Sequence, residues 1–320
     1  MADRAPLTSR RIKLQHLAML RAVAQWRSMG KAAKQLAVSQ PVISKAVAEL
    51  EHLLGVRLFD RSPQGVEPTV YCRALLKRSV GILDDVDAAV EEVRFLADPA
   101  SGQLRIGSTE PLLAGIVTAA MERLWLRHPS VALHTIQADT ATLLNRELPE
   151  RRVELAVVPL FAPNLQDELE PMVLYRDFWH VVAGAQNPLA RRRKLSLADL
   201  VDEPWCATPL DTAIGSLLID AFRAEGLQPP RLRVSSVMSP MLVTRLLERS
   251  RLLAVISDSL LNHFYARQMP VKKLPITLQS PPFSVALVRL KRRSVTPVAE
   301  MFMQYANEVA KPLANRPVPS

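Results

Sequence analysis

Ser39, Gln40, Pro41, Ser44 and Lys45 bring two hydroxyls, an amide and an ammonium into seven residues. Such groups can meet base edges in a major groove, and the ammonium can meet a phosphate. They act together only if one rigid element aims them. Ile43, Val47, Leu50 and Leu54 recur at spacings of 4, 3 and 4, which predicts a helix from Gln40 to Leu54 with one buried stripe. Gln40, Pro41, Ser44, Lys45 and Ala48 lie on the opposite, polar face. Ser39 is placed to cap its start, and Gly55 to end it.

Two shorter helices are predicted ahead of it, Leu14 to Trp26 and Met29 to Leu36, the second capped by Ser28. Ala32 and Ala33 are small enough to let another helix pack close. Beyond Gly55, Val56 to Phe59 alternates as a strand. Ser62-Pro63-Gln64-Gly65 is a turn and Val66 to Val70 returns as a second strand, so a wing follows the helices. Arg57 and Arg61 stand at its base, within reach of phosphates or a minor groove. Charge agrees. Residues 1–78 hold fourteen Lys/Arg against five Asp/Glu, a net of +9, residues 79–98 hold −5, and the rest +6. The basic excess sits where phosphates would be neutralised.

The run Ala32-Ala33-x-x-Leu36-x-x-Ser39-Gln40-Pro41-x-x-Ser44, continued by Leu50-Glu51-x-x-Leu54-Gly55-x-x-Leu58-Phe59-x-Arg61, resembles the DNA-binding signature of the LysR-type transcriptional regulators. The resemblance implies a winged helix-turn-helix in which Ser39, Gln40, Pro41, Ser44, Lys45, Arg57 and Arg61 are the candidate DNA contacts. Three positions depart from the pattern: Lys45 where Arg is usual, Gly30 where Thr or Ser is usual, and Cys72 where Gly is usual. Lysine lacks the guanidinium fork that reads guanine, which points Lys45 to a phosphate. Cys72 reads as a small buried filler.

From Thr69 to about Ala97 the chain has no proline and a helical pattern. Leu75, Ser79, Ile82, Val86, Ala89, Val93 and Leu96 form one stripe, and Leu76, Leu83, Val90 and Ala97 a second at sevens. One helix cannot bury both stripes on itself, so a partner helix is expected, with Asp84, Asp85, Asp87, Glu91 and Glu92 as an exposed acidic face; the alternative is a core helix of a single domain, which its place between two domains disfavours. The resemblance implies antiparallel pairing of this linker in a homodimer, and a homotetramer beyond it. Asp98-Pro99-Ala100-Ser101-Gly102 is then a hinge.

After Gln103, strands alternate with helices, which predicts an α/β architecture with largely parallel sheets, and more than two hundred residues suit two lobes. The resemblance implies a two-lobed, periplasmic-binding-protein-like effector domain, with chain crossings near Val158 to Pro163 and Ser257 to Ala266. The fold expected is therefore an all-α winged helix-turn-helix (residues 1–70), a linker helix (71–98), a two-lobed α/β domain (99–311) and a disordered tail (312–320). Ligands of such sheets bind at the carboxyl ends of strands. This makes Ser108, Thr109, Glu110, Pro111, Thr140, Thr208, Pro209 and Ser239 the candidate effector-binding residues, each of which could equally be a helix cap or turn. Glu110 opposes an anionic ligand and favours a polyhydroxylated or cationic one. Thr109 to Gly115 faintly resembles a sugar-responsive branch of the family, so the expected effector is sugar-like or another polar metabolite.

Nucleophile, Walker, dinucleotide and zinc-protease motifs are absent, so no catalytic residue, metal or cofactor is expected. The N-terminus lacks the apolar core of a signal peptide and no stretch reaches eighteen apolar residues, so a cytoplasmic location without membrane contact is expected. Double-stranded promoter DNA and a small-molecule effector are the expected partners, with RNA polymerase a candidate. The alternative is a cytoplasmic small-molecule sensor without specific DNA readout. A transport binding protein and a non-specific DNA-packaging protein fit less well: the first lacks a signal, and the second needs no ligand lobes.

Overall fold

The computed structural model describes residues 11–62, 65–98, 102–161, 165–236, 239–291 and 293–314. The chain divides into two compact units, one reaching Val93 and including the short segment 292–294, the other made of the remainder.

In the first unit, helices α1 (Leu14–Trp26), α2 (Met29–Gln35) and α3 (Gln40–Leu54) precede strands β1 (Phe59–Ser62) and β2 (Gly65–Pro68) and the long helix α4 (Val70–Ala97), which belongs to this unit as far as Val93. Leu20, Val23, Ala32, Ala33, Ile43, Val47, Leu50, Leu58, Phe59 and Cys72 form its core, so the predicted stripe of α3 is the buried one. Ser28 caps α2 through Lys31 N, and Gly55 closes α3 in the left-handed conformation. Ser39 precedes α3 as expected, but its side chain makes no cap bond; Pro41 in the first turn starts that helix instead. The first wing strand begins at Phe59, not Val56, because the amides of Leu58 and Phe59 are taken by Glu51 Oε1, at 2.7 and 3.3 Å. The second ends at Pro68, because Thr69 Oγ1 accepts from Cys72 N and opens α4. Pro63 and Gln64 of the predicted turn lie outside the described residues.

Helix α4 is continuous over 28 residues. Leu75 and Leu76 pack on the core just described, and Ser79 and Leu83 are buried. Ile82, Val86, Val90, Val93 and Leu96 are exposed. Asp84 is not part of an exposed acidic face: its carboxylate is covered and lies 3.7 Å from the Arg293 guanidinium. Pro99, Ala100 and Ser101 of the predicted hinge lie outside the described residues.

The second unit holds two five-stranded sheets. In lobe 1, the order is β4 (Ala132–Gln137), β3 (Gln103–Ser108), β5 (Leu155–Leu160), β12 (Phe283–Leu290), β6 (Leu169–Asp177). Its first helix, α5, runs through Glu110–Leu112, a π-helical stretch Leu113–Val117 and Thr118–Arg127; the next, α6, joins Thr140–Thr142 to a π-helical Leu143–Glu147. In lobe 2, the order is β11 (Val271–Lys273), β7 (Trp179–Gly184), β10 (Leu253–Ser257), β8 (Pro204–Ala207), β9 (Arg231–Ser235), with helices α7 (Ala213–Ala224), α8 (Pro240–Arg249) and α9 (Asp258–Ala266). Helix α10 (Pro297–Ala314) returns to lobe 1.

Three of these findings correct the sequence-based expectations. The sheets are mixed: β3 runs parallel to β4 and β5, but β12 is antiparallel to both its neighbours, and β7 to both of its own. The chain passes between lobes at Asp177–Trp179 and again over residues 274–282, where β6 leads into β7 and β11 into β12, and not near Val158 or Ser257. Strands that carry the chain across must enter each sheet against the parallel set, which is why the sheets are mixed. Lastly, residues 312–314, assigned to a disordered tail, complete α10, because Val309 and Leu313 pack on the core and hold the last turn despite Pro312. Residues 315–320 lie outside the described residues.

Candidate nucleic-acid interface and effector cleft

On α3, Gln40, Pro41, Val42, Lys45 and Ala48 are exposed and Ser44 is half-buried, so these candidate contacts share one solvent face. Gln40 borders a hollow of about 440 Å³ with Ser28, Gly30, Lys31, Ala33, Lys34 and Val38. A Cβ on Gly30 would stand 3.3 Å from Gln40 Oε1, so the missing side chain at this departure from the signature leaves the amide its room. Exposed Lys31 and Lys34, not singled out in the sequence, add two cations beside Gln40, and Val42 adds an apolar group able to meet a thymine methyl. They escaped notice because lysines on a short helix and one valine on a polar face carry no pattern of their own.

Arg57 is exposed in the loop before the wing; the Arg61 backbone is in β1, and its side chain lies outside the described residues. Two contacts fix the wing on the helices. Glu51 on α3 holds the Leu58 and Phe59 amides, and Val66 N donates to the Arg27 carbonyl at 3.1 Å. Gly65, with φ of +132°, lies so near that carbonyl that a Cβ would stand 2.8 Å from it. Glu51 is thus a positioning residue, visible in the signature but without a role there.

In the second unit, strand direction sets the cleft. Ser108, Gln137 and Leu160 end the parallel strands of lobe 1, and Ala207, Ser235 and Ser257 end those of lobe 2; both chain crossings leave from these ends. The candidate effector residues fall on these ends, with unequal freedom. Ser108 is fully buried and its hydroxyl donates to the Val157 carbonyl at 2.8 Å, tying β3 to β5. Thr109 precedes α5 without a cap bond, and Pro111 lies in the first turn. Thr140 follows Asp139, whose carboxyl is held below the usual carboxylate range by the Thr142 hydroxyl. Thr208 is buried and accepts from Thr212 Oγ1 at 3.0 Å, and the Pro209 carbonyl accepts from the same hydroxyl. Glu110 and Ser239 are brought together across the lobes, Oγ to Oε1 at 3.0 Å, with Gln137 Nε2 at 3.2 Å from Oε2.

At the first crossing, Asp177 is buried and accepts from Ser259 and from Phe178 N; burial nevertheless raises its carboxyl above the usual range. His180 Nε2 lies 2.9 Å from Asp258 Oδ1. Trp179 stacks on Phe283 with centroids 4.6 Å apart, and Phe161, half-exposed, lies 6.2 Å from Trp179. None of these was singled out in the sequence, because the crossings were expected elsewhere. Among the described residues, no cluster of His, Cys, Asp and Glu could hold a metal, and no helix is long and apolar enough to cross a membrane.

Residues 14–73 match the family described as "Bacterial regulatory helix-turn-helix protein, lysR family", and residues 97–311 the "LysR substrate binding domain". The chain belongs to the LysR family. It is a DNA-binding transcriptional regulator with an effector-binding domain, not an enzyme. Among its relatives, the HTH-type transcriptional regulator GbpR of Azospirillum brasilense is 30% identical over 262 residues, which are 79% of this chain and 74% of GbpR. Solved structures share this fold over most of the chain. Full-length OxyR C199D from Pseudomonas aeruginosa superposes with a TM-score of 0.63 at 18% identity, over 94% of this chain and 95% of that one. Full-length CbnR complexed with its target DNA gives 0.52 at 19% identity, over 93% and 100%.

The two cysteines of this LysR regulator are buried and unpaired with each other. Burial pushes the Cys72 thiol up to about 11, and raises Cys206 as well. Thiolate is the reactive form, so native protein at pH 8 is expected to react with a disulfide reagent about a hundredfold more slowly than after unfolding. Rapid stoichiometric reaction of the native chain would contradict the inert role.

Proposed function

We propose that the exposed face of α3 reads the operator, with Ser39, Gln40, Pro41 and Ser44 near base edges and Lys45, Arg57 and Arg61 on phosphates. The observation that carries this is the shared solvent face of Gln40, Pro41, Ser44 and Lys45, opposite the buried Ile43, Val47 and Leu50. The linker helix pairs two chains so that two reading heads meet two half-sites, and a homotetramer holds promoter DNA in the cytoplasm. The functional divisions are a reading head (1–70), a linker (71–98) and an effector domain (99–311). The effector lies between the lobes, at Thr109, Glu110, Pro111, Thr140, Thr208, Pro209 and Ser239, and is sugar-like. Support for that class comes from the carboxylate of Glu110 and from the aromatic group Phe161, Trp179 and Phe283 beside the first crossing. Ligand alters the angle between lobes, and only its unequal affinity for the two arrangements can shift DNA binding. RNA polymerase is a further candidate partner, whether the regulator activates or represses.

Binding of the full chain to its own upstream region across a salt series tests the reading head. Ser44→Ala is expected to weaken specific binding by about 1–3 kcal/mol and to relax sequence preference, as losing a base contact does. Lys45→Ala should weaken binding to all sequences and reduce the salt slope by about one. Equal affinity for operator and random DNA in the wild type would favour a sensor without specific readout.

A further inference from the structure

One hydrogen bond between the lobes is required neither by the sheets nor by helix capping. Ser239 precedes α8 on lobe 2, yet its side chain makes no cap bond with that helix. Its hydroxyl donates instead to Glu110 Oε1 on lobe 1, at 3.0 Å and 129 residues away in sequence. The second carboxylate oxygen accepts from Gln137 Nε2 at 3.2 Å. Gln137 ends β4 and Glu110 opens α5, so both stand at the carboxyl ends of the parallel strands of lobe 1. The carboxylate therefore fills, from within the chain, the place where a sheet of this kind receives its ligand.

The geometry points to Glu110 as the selectivity residue of the cleft and its built-in occupant when no ligand is bound. It ties the lobes through Ser239, and a ligand enters by replacing that bond, donating to Glu110 and accepting from Ser239. This rests on the cleft being the effector site. A hydroxyl group does both, since it carries one donor and two acceptor lone pairs. A carboxylate can only accept and meets the negative charge of Glu110. Asp139, at the start of the neighbouring helix α6, is ionised and adds a second negative charge on the same side. An ammonium would satisfy Glu110 but offers Ser239 no acceptor. The ligand class is thus a neutral compound with adjacent hydroxyls, and carboxylate effectors are rejected.

Hydrogen–deuterium exchange of the full-length protein tests the occupant role without any ligand. Glu110→Ala is expected to raise exchange in the first turn of α8 about tenfold, the size of losing one charge-assisted bond. Glu110→Gln, which keeps an acceptor for Ser239, should raise it less. Unchanged exchange in Glu110→Ala overturns the role of Glu110, whatever the cleft binds. Selectivity is tested by calorimetry with a panel of neutral hexoses and pentitols, and with benzoate as the carboxylate probe. At least one neutral polyol should bind the wild type, and benzoate should bind Glu110→Gln at least tenfold more tightly than the wild type. Equal benzoate affinity in the two proteins overturns the selectivity. A rise in exchange with no polyol bound would instead overturn the effector reading above, and the polyol class with it.

Discussion

Val86→Glu combined with Val93→Glu in α4 is expected to leave each chain folded, to halve the mass of the assembly, and to weaken operator binding on the order of a hundredfold. The reason lies in the exposure of that helix. At 28 residues α4 is about 42 Å long at 1.5 Å per residue, and its own unit covers only part of it. Beyond Leu83, Val86 is 38% exposed, Val90 43%, Val93 66% and Leu96 73%. These residues follow a spacing that holds one face along the helix, and a long apolar face left in water marks an interaction surface. Glutamate at an exposed position leaves the monomer's core untouched. In a two-fold pair, each substitution occurs twice, so four buried valines are lost at about 1.5 kcal/mol or more each, and four charges need water. A reading head that loses its partner binds one half-site, and its footprint should shrink accordingly. Sedimentation equilibrium and footprinting of the full chain check both parts. Retention of the wild-type mass would mean that the stripe of α4 is not the interface.

The same helix shows what a sequence can and cannot reveal here. Periodicity is a property of one element and its solvent, so α1, α3 and α4 were legible from apolar spacing, and the contact face of α3 followed as the complement of its stripe. Neighbours from distant sequence are not legible in that way. Asp84 reads as one more acid on a polar face, yet Arg293 covers it. Ser108 reads as a residue at a strand end, yet its hydroxyl is spent on Val157. Buried strands in both lobes are continuous apolar runs, Leu155 to Val158 and Leu253 to Ile256, and such runs carry no sign of direction. Largely parallel order was therefore expected, and the two chain crossings were placed in the wrong loops. Strand β11, at three residues, is too short to show alternation. Glu110 and Ser239 were both named as candidates for their places beside strand ends and helix starts, each on its own. Their bond depends on how the lobes close.

Gly184→Ala is expected to destabilise lobe 2 by about 3 kcal/mol or more, at the top of the range for overpacking a core. Gly184 ends β7, and α8 crosses it so closely that a Cβ would stand 1.9 Å from the Leu247 carbonyl oxygen and 2.8 Å from its carbon. Both are backbone atoms, so no rotamer change can relieve the clash; the helix itself must move. Yet α8 is anchored by Val243 and Leu247 in the core formed with Val182, Ala254, Ile256 and Phe264, and its displacement would open that core along its length. In a unit of this size, about 3 kcal/mol corresponds to a fall in Tm of roughly 6–12 °C. Gly115→Ala is the matching control. Nothing lies within 4 Å of a Cβ at that position, and alanine is the better helix former, so its effect should be neutral or slightly stabilising. Calorimetry of both variants separates the readings: equal small shifts would mean that α8 can slide freely on β7. Because α8 also carries Ser239 at its start, a slide large enough to admit the methyl would carry that hydroxyl away from Glu110. Gly184→Ala should therefore raise amide exchange in the first turn of α8, while the helix-turn-helix, with a separate core, keeps its protection.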